Sequence, residues 1–260
     1  MNKNLSQKIY QFWQEQAKSY KITSDASWGD LLMQKEIEVI DTYLKDGDKV
    51  LDVGCANGYS SIAFAKRKRI KLLGIDYSRS MIKQANDAKA KLSSKIGKRI
   101  TFRFGDVLNL TDQRNTFDKI NSTRCLCNLT SWKDQKTAIK QLWHMLKPGG
   151  ILLLSEPTIQ GLKNLNELSI KFGLKPLSQP WHNLYIDEDK LKRFTKPYFK
   201  LKINYFSSTY YLFSRVIYRC LMGDNVNKLK RNSIINKIGL RLPSFGKWGV
   251  QRLYVLKKRS

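Results

Sequence analysis

Histidine is nearly missing from this 260-residue chain, which holds only His144 and His182 beside four scattered cysteines, Cys55, Cys125, Cys127 and Cys220. No zinc-ligand spacing joins these residues, so a zinc framework is excluded and reduced thiols are the expected state. Acidic residues are scarce too: 21 against 48 Lys and Arg leave a formal net charge of +27. No run approaches the roughly 18 to 20 apolar residues that span a bilayer. The polar start MNKNLSQKIYQ does not have the pattern of a secretory signal. Nor is there an internal repeat or a low-complexity linker. The expectation is one cytoplasmic, metal-independent domain over 1–260, long enough to bury a full core.

The charge is unevenly placed. From Gly161 to Ser260 there are 21 basic and 5 acidic residues. Such a field draws polyanions: RNA, a phosphorylated metabolite or an anionic membrane face. The basic residues are nevertheless spread out, with KRKR (Lys66 to Arg69) and the terminal KKRS as the tight runs, so a lysine-rich solvated surface accounts for the excess equally well.

What is present is alternation. The first 45 residues carry apolar residues at helical spacing in SQKIYQFWQEQAKSY and again in WGDLLMQKEIEVIDTYL. Strand KVLDVG, a helix, strand IKLLGID, helix SRSMIKQANDAKAKL, strand ITFRFGD, strand FDKINSTRCL, helix WKDQKTAIKQLWHML and strand ILLLSE follow in turn. Strands alternating with helices predict a parallel, doubly wound α/β sheet covered on both faces. YFKLKINYFSS and GVQRLYVLKKR read as two further strands. The intervening segment, about 209–245, has its own helical pattern and is long enough to wall a substrate site.

Ligands of such sheets bind over the first strand-helix turn, at the carboxyl ends of the strands. Here that turn is Gly54-Cys55-Ala56-Asn57-Gly58, preceded by Asp52. It departs from the dinucleotide pattern G-x-G-x-x-G and fits G-x-G-x-G with Ala56 in the middle. Asp76 ends the second strand and is followed by Tyr77; Asp106 ends the third and is followed by Val107. Any one of these acids serves equally well as a turn former, but three on one sheet edge point to a ligand. With LWHMLKPGGILLLSEP, this set resembles class I S-adenosylmethionine-dependent methyltransferases over roughly Asp48 to Pro157. The resemblance implies a seven-stranded Rossmann-like methyltransferase sheet with N-terminal cap helices (1–45), a cofactor core (46–157) and a substrate-side region (158–260) with a helical insertion between strands six and seven. It implies that S-adenosyl-L-methionine is held by Asp52, Gly54, Ala56, Gly58, Asp76, Tyr77, Asp106 and Val107. Asp76 would bind the ribose hydroxyls, and Asp106 with the Val107 amide would read the adenine edge.

The acceptor is less legible. NSTRCLCNLT replaces the Asn/Asp-Pro-Pro-Tyr run of enzymes that methylate nucleic-acid amino groups. Cys125 and Cys127 lack the adjacent proline of cytosine-C5 enzymes, which makes them core cysteines. No acidic cluster suggests a magnesium site. Tyr10, Trp13, Tyr20 and Trp28 are candidate pocket liners, with amphipathic packing the alternative for Trp13. PWHNLY offers His182 as general base, with Asn183 and Tyr185 beside it as substrate contacts; Glu156 leaves the fifth strand facing the active-site edge. In FSSTYYLFSRVI, Tyr211 and Arg215 suit a sugar, phosphate or carboxylate. The layout is similar to bacterial methyltransferases that modify sugars for capsule or lipopolysaccharide assembly. That similarity implies O-methylation of a small anionic acceptor such as a nucleotide-linked sugar. An RNA or ribosome methyltransferase and a non-catalytic cofactor-binding subunit remain the alternatives; a homodimer is compatible with each.

Overall fold

The computed structural model describes residues 3–19, 30–110, 114–224 and 233–259; the expected pocket liners Tyr20 and Trp28 lie outside them. Strands β1 (Lys49–Val53), β2 (Lys71–Asp76), β3 (Ile100–Phe104), β4 (Phe117–Thr123), β5 (Leu146–Pro157), β6 (Phe199–Asn204) and β7 (Gln251–Lys258) make one sheet. Their order is β3-β2-β1-β4-β5-β7-β6. The first five run parallel, and β7 lies antiparallel between β5 and β6. This is the expected methyltransferase-type sheet.

Period-two alternation of apolar residues builds both faces. Val50, Leu72, Leu153 and Val255 pack on one side with Phe64 and Ala65 of α3 (Tyr59–Arg67) and Ile82 and Ala85 of α4 (Arg79–Ala90). Leu51, Val53, Leu152 and Leu154 pack on the other. There they meet Ala138, Ile139 and Leu142 of the sixth helix, Trp132–Met145. Helix starts follow local chemistry: Ser78, Ser131 and Thr158 each accept a backbone N–H of the first turn that follows, which satisfies an otherwise orphaned donor.

In chain order the remaining helices are α1 (Lys3–Ser19), α2 (Asp30–Asp41), the single turn α5 (Ser94–Gly97), α7 (Ile159–Lys171), α8 (Glu188–Thr195), α9 (Ser208–Leu212), α10 (Tyr218–Met222) and α11 (Ile234–Arg241), with Trp132–Met145 as α6. The insertion is helical as expected: α9 and α10 are joined by a π turn at Phe213–Ile217, and α11 packs on α9 and α2. One boundary moves. Strand β5 begins at Leu146, five residues before Ile151, because KPGG continues the strand through a register shift opposite Phe117 and Lys119. Gly149 at φ 72° supplies the left-handed residue that such a bulge favours.

The start of α8 is fixed by a buried ion pair. Arg252 of β7 donates from Nη1 to Glu188 Oε2 at 2.5 Å, and the Tyr254 hydroxyl donates to the same oxygen at 3.1 Å. Removing one partner leaves an uncompensated charge in the core. Glu188→Ala is therefore expected to cost about 3–5 kcal/mol, read as a lower urea midpoint at pH 7.

Candidate functional site

Five parallel strands end on one edge, and a cavity opens there. Its floor is the turn from Gly54 to Asn57; its walls are the ends of β2, β3 and β4; and Ser6, Ile9 and Trp13 roof it. Those three positions share one face of α1. Helix α1 is tied down by the Ser80 hydroxyl donating to Gln14 at 2.8 Å and by Gln84 donating to the Ala17 carbonyl.

The turn geometry requires small residues. Gly54 sits at φ 71°, its N–H donates to the Ile75 carbonyl at 2.8 Å, and a Cβ there would lie 2.7 Å from Cys125 Cβ. Ala56 is left-handed as well, at φ 46°, a conformation that costs a residue with a Cβ about 1–2 kcal/mol. Its methyl packs against Ala17 and Met81, which offsets part of that cost and locks the turn to the roof.

Three acids hold this edge in different ways. Asp52 is buried; Asn121 Nδ2 donates to it at 2.7 Å, and the Ser61 hydroxyl donates to its other oxygen. It is a strut between β1, α3 and β4. Asp76 accepts the Ala56 N–H at 2.9 Å and the Ser78 N–H at 2.8 Å, so it ties two loops together while each oxygen keeps a lone pair for a hydroxyl. Asp106 accepts from Leu108 N at 2.9 Å and Asn109 Nδ2 at 3.2 Å. Burial pushes both Asp52 and Asp76 up to about 6, against hydrogen bonds that pull them down.

Sheet order sets the sequence of subsites. Along the edge come Asp106, Asp76, the glycine turn and then the end of β4. Three strand spacings separate the first from the last, about 14 Å, the span of a nucleoside carrying an amino-acid chain. The residues fit that group. The Tyr77 hydroxyl is buried on this wall with no hydrogen-bond partner among the described residues, and the glycine turn forms a cradle that a side chain would fill.

Beyond β4 the structure corrects the sequence reading. Glu156 does not face the cavity. It is fully buried and accepts the N–H groups of Cys125, Leu126 and Cys127 at 2.9, 2.8 and 3.1 Å, so its carboxylate shapes the loop after β4. Burial raises it to about 7. His182 stands one layer behind the cavity wall: its ring stacks on Phe12 at 4.3 Å and meets Trp13 edge-on at 6.0 Å. Asn183 donates to Asn128 Oδ1 at 3.0 Å, as does Trp13 Nε1 at 3.1 Å, and Asn128 is on the wall. Tyr185, Tyr211 and Arg215 lie together on the insertion side, near enough for the Arg215 charge to act on both hydroxyls, but none of the three lines the cavity. The sequence reading missed Arg124, Asn121, Asn128 and Glu36. Arg124 had a signal in NSTRCLCN, which runs from the end of β4 into the loop after it; Glu36 had none. Burial lifts the thiols of Cys125 and Cys127 well above the ordinary range, in line with core cysteines.

Two outcomes follow for measurement. Asp76→Ala, by titration calorimetry, should weaken S-adenosylhomocysteine binding by about tenfold or more, since two charge-assisted hydrogen bonds go with it. The second concerns pH. Carboxyls raised on folding stabilise below their unfolded pKa and lose that contribution as pH rises through the folded value. For Asp52, Asp76 and Glu156 the window runs from about 4 to about 7. His144 and His182, both lowered by burial, oppose them, two groups against three. The ligand-free melting temperature is expected to fall from pH 5.5 to pH 7.5, less steeply in Asp52→Asn; a flat or rising profile would contradict this.

A profile described as a methyltransferase domain matches residues 44–197. The chain is 34% identical over 142 residues to carboxy-S-adenosyl-L-methionine synthase of Nautilia profundicola, covering 52% of this chain and 55% of that protein. It is 30% identical over 113 residues to 27-O-demethylrifamycin SV methyltransferase of Amycolatopsis mediterranei, covering 44% and 40%. The chain thus spans about half the length of these curated relatives. In fold it is similar to magnesium protoporphyrin IX methyltransferase of Synechocystis with bound S-adenosylhomocysteine, with a TM-score of 0.58, 16% identity and coverage of 95% and 94%. Among the described residues, no helix is long and apolar enough to cross a membrane. The acids at three strand ends, the glycine turn and the matching domain agree: this chain belongs to the class I S-adenosylmethionine-dependent methyltransferase family.

Proposed function

We propose that this enzyme methylates a hydroxyl of a small anionic acceptor, such as a nucleotide-linked or phosphorylated sugar used in surface-polysaccharide assembly. The observation that supports this reading is the arginine and tyrosine group of Tyr185, Tyr211 and Arg215, contributed by the loop before α8 and by the insertion, on the side of β4 away from the adenosine subsite. The hydroxyls suit sugar oxygens and the guanidinium suits an oxyanion. A roofed cavity also favours a small molecule over a folded polymer. The Amycolatopsis relative is itself named for an O-demethylated small molecule.

When bound, S-adenosylmethionine supplies an electrophilic methyl group on a sulfonium centre. Asp76 and Asp106 would hold its nucleoside, with Tyr77 along the wall and the Gly54–Gly58 turn beneath. Helix α1 excludes water from the reacting atoms, which strengthens every polar contact inside. His182 takes the acceptor proton: burial lowers its pKa, so the imidazole is neutral at pH 7 and able to accept. Arrival of the acceptor has to open the contact between Trp13 and Asn128, which at present separates the cavity from the imidazole layer.

Transfer of a labelled methyl group to a panel of nucleotide sugars, sugar phosphates, neutral sugars and RNA tests this reading. The phosphorylated sugars should be methylated, His182→Gln should slow turnover by about 10²-fold with S-adenosylhomocysteine affinity intact, and the wild-type rate should fall in acid as the imidazole is protonated. Methylation of RNA or of neutral sugars alone would refute it.

A further inference from the structure

Arg124 follows β4 directly and adopts φ 50°, a left-handed conformation for a residue with a long side chain. Its N–H donates to the Ser155 carbonyl at 2.8 Å, which keeps the backbone there. Its Nη2 lies 3.1 Å from Glu36 Oε2, with the two side chains 11% and 2% exposed. The other oxygen of Glu36 accepts the Ser155 hydroxyl at 2.5 Å and Gln251 Nε2 at 3.0 Å. Helix α2, the end of β4, β5 and β7 therefore converge on one ion pair, and Arg124 is a wall of the cofactor cavity.

Two costs meet at this residue. Left-handed backbone is unfavourable for a non-glycine residue, and a buried ion pair repays its desolvation only poorly compared with apolar packing. Strain and buried charge concentrated at a cavity wall indicate a role in binding. Sheet order says which role. The β4 end comes after the glycine turn in the series that starts at Asp106, beyond the amino-acid end of the cofactor. On its far side are Tyr211 and Arg215: the charges of Arg215, Arg124 and Glu36 all act on the Tyr211 hydroxyl, which burial raises to about 12. Arg124 thus joins the cofactor cavity to the tyrosine and arginine group of the insertion.

We infer that Arg124 anchors the anionic group of the acceptor, a carboxylate or a phosphate, and that Glu36 is the positioning residue that aims its guanidinium. This rests on the proposed anionic acceptor. A guanidinium presents its donors in a planar fork that matches either oxyanion. The ion pair to α2 fixes the fork before the acceptor arrives, which lowers the ordering cost of binding.

The test titrates inorganic phosphate, and separately malonate, into the protein saturated with S-adenosylhomocysteine; comparing the two identifies phosphate or carboxylate as the preferred group. Arg124→Gln should weaken the preferred anion by about tenfold or more, whereas Lys171→Gln, which removes the same charge from the exposed end of α7, should leave it unchanged. S-adenosylhomocysteine affinity should fall far less than anion affinity in Arg124→Gln, since the groups assigned to that ligand lie at the ends of β1, β2 and β3. Glu36→Gln makes the site more positive, so simple charge attraction predicts tighter anion binding and positioning predicts weaker binding. The double variant Glu36→Gln, Arg124→Gly removes both charges and relieves the left-handed strain, and it should remain folded while losing the anion. Equal anion binding by Arg124→Gln, or no binding by the wild-type complex, overturns the assignment. A large loss of S-adenosylhomocysteine in Arg124→Gln overturns it too, by making Arg124 a cofactor ligand. Tighter binding in Glu36→Gln removes Glu36 from its role. Failure of wild type to bind S-adenosylhomocysteine at all would instead strike the cofactor site, and successful anion binding without methylation of any phosphorylated sugar would strike the proposed acceptor alone.

Discussion

Buried carboxylates that accept main-chain or side-chain hydrogen bonds are the constraint on which the functional edge depends. Asp52, Asp76 and Glu156 each sit at or beside the end of a parallel strand, and each spends its lone pairs on neighbouring chain: Asp52 on Ser61 and Asn121, Asp76 on the Ala56 and Ser78 amides, Glu156 on three successive amides after β4. A parallel sheet leaves its strand ends as open loops with unsatisfied amides. Here Asp76 and Glu156 satisfy them and turn the loops into fixed walls, while Asp52 braces the strands through side chains. The cost is desolvation, visible as the upward displacement of all three groups.

That arrangement gives the two ends of the cavity different characters. At the glycine-turn end the geometry is backbone-determined: glycines at positive φ, amides tied to Asp76, and a turn pressed against Cys125 and Phe102. At the β4 end the geometry is set by side chains drawn from distant parts of the sequence. Glu36 meets Arg124 and Gln251, and Trp13 and Asn183 share Asn128. A backbone-built half suits a ligand common to a whole family, and a side-chain-built half is free to vary with the acceptor.

The N-terminal helices belong to both halves. Helix α1 closes over the glycine turn through Ala17, against Ala56 and Met81, and over the β4 end through Phe12 and Trp13, against His182. Its docking therefore links cofactor enclosure to the packing of the imidazole. Helix α2 contributes Met33 to the wall and Glu36 to the ion pair behind it. The cavity wall and the ion pair behind it therefore share elements.

Local pattern determined the sheet, the glycine turn and the acids at its edge, because each is encoded within a few residues: alternation in KVLDVG and IKLLGID, a turn that only small residues can make, and an aspartate at or just past the end of each of the first three strands. The helical insertion was legible for the same reason. What the sequence could not decide was direction. Glu156 and Asp76 both lie at strand ends, yet Glu156 turns inward to three successive amides of the loop after β4, whereas Asp76 takes one amide on each oxygen and borders the cavity. His182 read as a free base in a polar loop, but helix α1, some 170 positions earlier, stacks Phe12 on it. Glu36 and Arg124 are 88 positions apart and show no periodic or motif relation; only the crossing of α2 over the sheet edge brings them together. Contacts between neighbours in sequence are written in its pattern, whereas a pairing across the fold exists only once the core has fixed where each element lies.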